Sequence, residues 1–188
     1  MRTKKRTALY FSLMGFLAAG CVLISPAAQA EDNPSWSSQE VNQLLSQVKM
    51  AATALERDCG EIAVWAGDEQ SSWESHARKL NLIIEHTHRA RQLLTKLHQL
   101  RATASPWHQQ AIDRVSFLLE EIDNIVEAMI HRFSADTAHV HSAVYKDYAK
   151  VGSKLAKELG SLISDYVGYG DNEAEFHRLQ ENLDSKAK

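Results

Sequence analysis

The chain has 188 residues, 44% of them apolar, with 24 acidic and 21 basic side chains, three prolines and eight glycines. That is enough apolar content to bury a core, and the scarcity of proline and of β-branched alternation excludes an all-β or fibrous chain and points to one helical domain. The acidic balance excludes partners that need clustered Lys and Arg, namely nucleic acid and anionic membranes.

In chain order, the first 30 residues read as an export signal. Arg2, Lys4, Lys5 and Arg6 form a basic start, Ala8 to Ile24 is apolar, and Pro26-Ala27-Ala28-Gln29-Ala30 ends in an A-x-A pattern before Glu31. Cleavage is expected after Ala30, giving a periplasmic or secreted protein with no stable membrane span. An uncleaved anchor is the rival, although the apolar run is near the short end of a span. Leu17-Ala18-Ala19-Gly20-Cys21 also has the outline of a lipobox. Ala18 stands where a large aliphatic residue is usual, and the apolar run continues through Ile24, so soluble export is preferred to a lipid anchor at Cys21. Removing residues 1–30 takes four of the 21 basic residues and none of the acidic ones, leaving 17 against 24, a net charge of −7. Cys59 is then the one cysteine left, which forbids an internal disulfide. It is expected to be a small buried residue beside a helix seam, with an intermolecular bridge as the alternative.

Four amphipathic helices follow, at about residues 37–66, 72–103, 106–133 and 136–167. In helix 1, Ser37 and Glu40 match a capping box. Val41, Val48, Leu55 and Ile62, with Leu44, Ala51, Asp58 and Trp65 and with Leu45 and Ala52 alongside, make its inner stripe, and a kink is expected near Gly60. Ser71 or Ser72 caps helix 2, whose stripe is Trp73, Leu80, Thr87 and Leu94 with Ile83, Ala90 and Leu97. Ser105 and Pro106 suit the cap and first position of helix 3, which presents Val115, Ile122 and Met129 with Ala111, Leu118 and Ile125, widened by Ile112, Leu119, Val126 and Phe133. Helix 4, capped by Ser134 or Asp136, is read with Val144, Tyr148, Val151, Leu155, Leu162 and Ile163 inward, Leu159 and Tyr166 joining as the pattern drifts, and with its lysines on a solvated face. Gly168-Tyr169-Gly170 is expected to stop it. Residues 171–188 would then form a short amphipathic tail helix whose Phe176, Leu179 and Leu183 dock on the rest. Stripes this wide, with short junctions, predict an all-α, antiparallel up-down four-helix bundle over 31–170, with this C-terminal extension. A helical hairpin pairing with a second copy is the alternative.

Trp73-x-x-His76-Ala77, then Ala104-Ser105-Pro106 with Gln109-Gln110-Ala111-Ile112-Asp113-Arg114, then Asp165-Tyr166-Val167-x-Tyr169-Gly170, resemble a group of small exported bacterial helical-bundle proteins with no assigned activity. The likeness covers about residues 70 to 170. It implies the signal peptide and the bundle, and it carries no catalytic role.

No enzyme is expected. The sequence has no nucleophile elbow, no H-E-x-x-H and no glycine-rich phosphate loop. Covalent haem needs C-x-x-C-H, and a b-type haem needs an axial Met and His that are not placed for it. Glu85-His86-Thr87-His88 offers half of a di-iron motif and nothing supplies the other half, so a solvated face is the plainer reading. No cofactor is expected. Chain direction nevertheless gathers histidines at one end. His76, His131, His139 and His141 lie at similar depths beside Asp58 and Cys59 if the helices alternate, since each residue rises 1.5 Å. Such a group could hold Zn or Cu, or respond to pH without metal. Against both stands the plain reading of end-layer histidines satisfied by water and loop carbonyls. The opposite end, with His98, His108 and Trp36, offers less. The sequence thus favours a non-enzymatic binding or interaction protein of the cell envelope, with a protein partner or self-association. A metal-binding or pH-sensing bundle and a structural homo-oligomer are the alternatives.

Overall fold

The structure is a computed structural model and describes residues 34–186. The expected signal peptide and any lipidation of Cys21 lie outside the described residues. Helix α1 spans Pro34–Gly67, α2 Trp73–Leu100, α3 Pro106–Ala135 and α4 Ala143–Lys186, with 3-10 turns at Arg101–Thr103 and Thr137–His141. The described residues contain no strand, and the all-α class follows. No helix among them is long and apolar enough to cross a membrane.

Local chemistry sets the boundaries. Pro34 opens α1 three residues ahead of the expected Ser37, at a first-turn position where its missing N–H costs nothing. Gly60 does not interrupt α1, which runs unbroken to Gly67. Ser72 caps α2, its hydroxyl accepting from the Ser75 amide at 3.3 Å. Ser105 precedes Pro106 as expected, but its hydroxyl makes no cap bond. It bonds instead to the His108 ring at 2.7 Å. Asp136 accepts from the Ala138 amide and opens a 3-10 turn, so α4 starts at Ala143 rather than near 136.

The helices pack in a ring: α1 against α2 and α4, and α3 against α2 and α4. Inside it lie Val41, Leu45, Val48, Leu55 and Ile62 of α1, Ile83, Ala90 and Leu97 of α2, and Ile112, Val115 and Ile122 of α3. These are the stripes read from the sequence, less Trp73. That residue is 48% exposed, because the first position of α2 has little helix beside it, and its ring lies against Phe133.

Helix α4 departs from expectation twice. Its buried face is Tyr145, Ala149, Gly152 and Ala156, then Leu159, Leu162 and Ile163 as expected, while Val144 and Val151 stand outside. Small residues face inward because the neighbouring helices come close. A Cβ on Gly152 would lie 3.3 Å from Ile125 Cγ2. Gly168 and Gly170 also fail to stop the helix. Gly170 is buried where α4 crosses α1, and a Cβ there would sit 2.7 Å from Asn42 Oδ1. Glycine at this point makes room rather than a turn. The helix therefore continues to Lys186, and no separate tail helix forms.

Candidate functional site

The end where α1 finishes and α2 and α4 begin centres on His76. This side chain is buried one turn into α2. Its Nε2 lies 3.0 Å from Ser71 Oγ and its Nδ1 3.2 Å from Tyr145 Oη. The Ser71 hydroxyl already donates toward the Trp65 and Asp68 carbonyls, at 2.7 and 2.8 Å. Ser71 must therefore accept from Nε2–H, and Tyr145 must donate to Nδ1. The network assigns the tautomer and leaves neither ring nitrogen of His76 free. Trp65 and His141 close over the ring edge-to-face, at 6.2 and 6.1 Å between centroids. Burial disfavours the imidazolium, and the nearby His141 adds to this, so His76 titrates below an ordinary histidine. The buried Tyr145 hydroxyl is likewise pushed up and stays protonated.

Of the five residues singled out from the sequence at this end, the structure brings His76 and His141 together. His141 Nδ1 is buried without a hydrogen-bond partner. His139 stays in its own turn, donating to the Arg132 carbonyl at 3.3 Å, and His131 is exposed. Asp58 belongs to a different cluster. Among the described residues, no three His, Cys, Asp or Glu side chains are grouped to hold a metal ion.

Asp58 is fully buried between α1 and α2. Its Oδ1 accepts from Lys79 Nζ at 3.1 Å and from Arg57 Nε at 3.2 Å. His86 Nε2 stands 3.1 Å from Oδ2, without the alignment of a hydrogen bond. Lys79 also reaches Glu61 at 2.6 Å and lies over the Trp65 ring at 5.4 Å. Burial alone would raise the Asp58 carboxyl, but the hydrogen bonds from Arg57 and Lys79 outweigh it and hold the group below its ordinary range. Burial would likewise lower Lys79, and its bonds to Glu61 and Asp58 raise it instead. The next residue, Cys59, is buried, and its thiol is pushed up to about 12. A thiol so rarely ionised and so enclosed is chemically quiet. Sequence reading missed Tyr145, Lys79 and His86. The signal available was Lys79 and His86, seven apart, flanking the α2 stripe beside a carboxylate in a core position of α1.

The other end is built around Trp107 and His108. His108 is buried, with the Ser105 hydroxyl donating to Nδ1 and Nε2–H donating to Asn42 Oδ1 at 3.0 Å. Trp107 stacks on it at 3.6 Å, meets Tyr166 and Tyr169, and donates through Nε1 to Glu173 at 3.1 Å. Beyond this clasp, α4 runs on beside the first turns of α1. The two helices enclose a groove of about 860 Å³ lined by Ser38, Asn42 and Gln43 on one side and Asp171, His177 and Glu181 on the other.

The tail's apolar residues do not face that groove. Gly170 marks the side of α4 turned to α1. At about 100° per residue, Phe176, Leu179 and Leu183 fall some 120° to 180° around the helix from it. They are 65%, 49% and 68% exposed. The expected docking of these residues onto the rest of the chain is thus not what forms, because unbroken helix phase carries the stripe outward. No family model, curated protein or solved structure matches this chain.

Proposed function

We propose that this chain is an exported, non-enzymatic helical bundle that docks a protein partner at the cell envelope. Export is supported by the basic, apolar and A-x-A succession of residues 2–30. In this reading the bundle is antiparallel, up-down-up-down. Support comes from the pairing of Trp65, His76 and Tyr145 at one end and of Asn42, His108 and Glu173 at the other. The non-enzymatic reading rests on the histidines themselves, since His76 and His108 spend both ring nitrogens on hydrogen bonds that hold helix ends together.

The observation that carries docking is the outward stripe of Phe176, Leu179 and Leu183. Apolar side chains at i, i+3 and i+7 on a helix that leaves its own core match the way amphipathic helices present a seam to another chain. A photoreactive residue at position 179, compared in living cells with one at the still more exposed Val64, tests this. A discrete heterologous adduct at 179 that is absent at 64 is expected. Equal labelling at both positions, or none, rejects the reading, and adducts between copies only would favour a structural homo-oligomer. Mass spectrometry of the exported protein should find Glu31 at its start.

A second reading has one observation in its favour. The unpartnered, buried Nδ1 of His141 sits in the ring that faces His76, an arrangement suited to sensing protons. If so, acidification should loosen the 137–141 turn before the rest, and hydrogen exchange at pH 5.5 and 7.5 would show whether it does.

A further inference from the structure

We infer that the outward stripe of α4 is a docking face for a positively charged amphipathic helix of another protein. The inference rests on the docking reading above and names the chemistry of the partner.

Three occupants are conceivable for a stripe built from Phe176, Leu179 and Leu183: a lipid surface, a second copy of this chain, or a foreign helix. The side chains beside the stripe decide among them. With Phe176 and Leu183 at one seam position and Leu179 at the other, the flanking positions are Glu173 and Gln180 on one edge, Glu175 and Asn182 on the other. Neither edge carries a basic residue. Between residues 171 and 186 there are five carboxylates, Asp171, Glu173, Glu175, Glu181 and Asp184, against Arg178 and Lys186. Arg178 and Glu175 pair, at 2.8 and 2.7 Å, and offset each other, but the five carboxylates against two basic residues leave the segment net negative.

An anionic lipid surface would be repelled, since helices that lie on such membranes carry lysine and arginine beside the apolar face. A second copy would bring the same net negative segment, with no basic residue at either edge of the stripe. A foreign helix with Lys or Arg on its edges answers both the apolar stripe and the acidic flanks. The segment also has reason to want a partner. Roughly four turns of helix without a core behind one face are marginal in water, and the stripe cannot roll inward without breaking the Trp107–Glu173 bond and the Gly170–Asn42 approach.

The test uses the purified full chain and two labelled synthetic helices of about four heptads, leucine on the seam, one with lysine and the other with glutamate at the edges. Fluorescence anisotropy should show the lysine peptide binding and weakening with salt, and the glutamate peptide binding at least about tenfold more weakly. Leu179→Ser/Leu183→Ser, at exposed positions that leave the core intact, should weaken the lysine peptide about tenfold or more. Glu175→Gln, which removes an edge carboxylate and frees Arg178 while leaving the Trp107–Glu173 clasp and the apolar stripe in place, should weaken it several-fold. Circular dichroism of each variant checks that the fold persists. Unchanged binding to the serine variant places the peptide elsewhere on an acidic surface and overturns the inference. So does equal binding of both peptides, or binding of neither. Light scattering that finds a dimer abolished by the serine substitutions assigns the stripe to a second copy, and sedimentation with phosphatidylglycerol vesicles that requires the stripe assigns it to lipid. Either result also overturns the inference. If position 179 still yields a heterologous adduct in cells while the lysine peptide fails, the partner chemistry is wrong and the docking reading stands.

Discussion

Lys79 is 8% exposed and Asp58 not at all, and they stay charged because each is held by the other, with Arg57 adding to Asp58 and Glu61 to Lys79. Taking one away leaves the other buried and poorly compensated, which costs more than the pair contributes. Lys79→Met should destabilise the protein by about 3 kcal/mol, tempered by the remaining Arg57 contact, whereas Asp58→Leu/Lys79→Met should recover to within about 1 kcal/mol of the parent. Urea unfolding of the two variants checks this, and a double variant no better than the single one would contradict it. The histidines give the residue scale its pH dependence. His76 and His108 are both lowered, first by burial. Unfolded, they take up protons near pH 6.5; folded, they resist. Their contribution is therefore complete above pH 6.5 and is lost as pH falls through that value. Asp123 works the opposite way at lower pH. Burial raises its carboxyl despite Arg91, so its contribution is present below the ordinary carboxylate value and fades as pH rises. The loss of stability between pH 7.5 and 5.5 should thus be smaller in His76→Gln/His108→Gln than in the parent, as urea midpoints at the two pH values would record.

Helix α4 is where composition and structure part. The stripes of α1, α2 and α3 were legible because large aliphatic residues recur at heptad spacing, and burial rewards that pattern directly. The inner face of α4 keeps its large aliphatics, Leu159, Leu162 and Ile163, to the second half, while Ala149, Gly152, Ala156 and Gly160 carry little hydrophobic signal and let the helices approach. Val144 and Val151 drew the reading one position off. Gly168 and Gly170 misled for a related reason, since glycine both ends helices and fills crossings, and spacing does not separate the two uses. The site divided in the same way. The nearness of His76 to His141 followed from rise per residue together with the expectation that the helices alternate. Tyr145 as the partner of His76, and Lys79 as the partner of Asp58, depend on rotamers and helix rotation that no spacing encodes. Two neighbouring glycines test the continuity of α4. Gly168 has open space where a Cβ would go, so Gly168→Ala should stabilise by about 0.5–1 kcal/mol as in any helix interior. Gly170→Ala gains the same propensity but pushes Asn42 off His108, and should cost about 1 kcal/mol net. Opposite signs in thermal unfolding support a continuous helix. Destabilisation by both would restore the helix stop.

At the scale of the whole molecule, the two ends are unlike. One is closed by Trp65, His76, His141 and Tyr145, with the Asp58–Lys79 cluster beneath. The other is clasped by Trp107 and His108 and then left open, with a polar groove on one side of α4 and an apolar stripe on the other. A molecule in which the last turns of α4 served its own stability would bury Phe176, Leu179 and Leu183, at roughly 1.5–3 kcal/mol for each large side chain. Here those residues stay mostly in water and the clasp ends at Glu173. Ending the chain after Glu175 should therefore change the urea midpoint by less than about 1 kcal/mol equivalent, because it removes exposed helix and the Arg178–Glu175 pair, which is itself solvent-exposed. A tail docked on the bundle would instead lose several kcal/mol on the same truncation. The shortened protein should fold, keep its pH response through His76 and His108, and fail to bind the lysine-edged helix. That separates what α4 does for the fold, up to the Trp107 clasp, from what its last turns do for a partner.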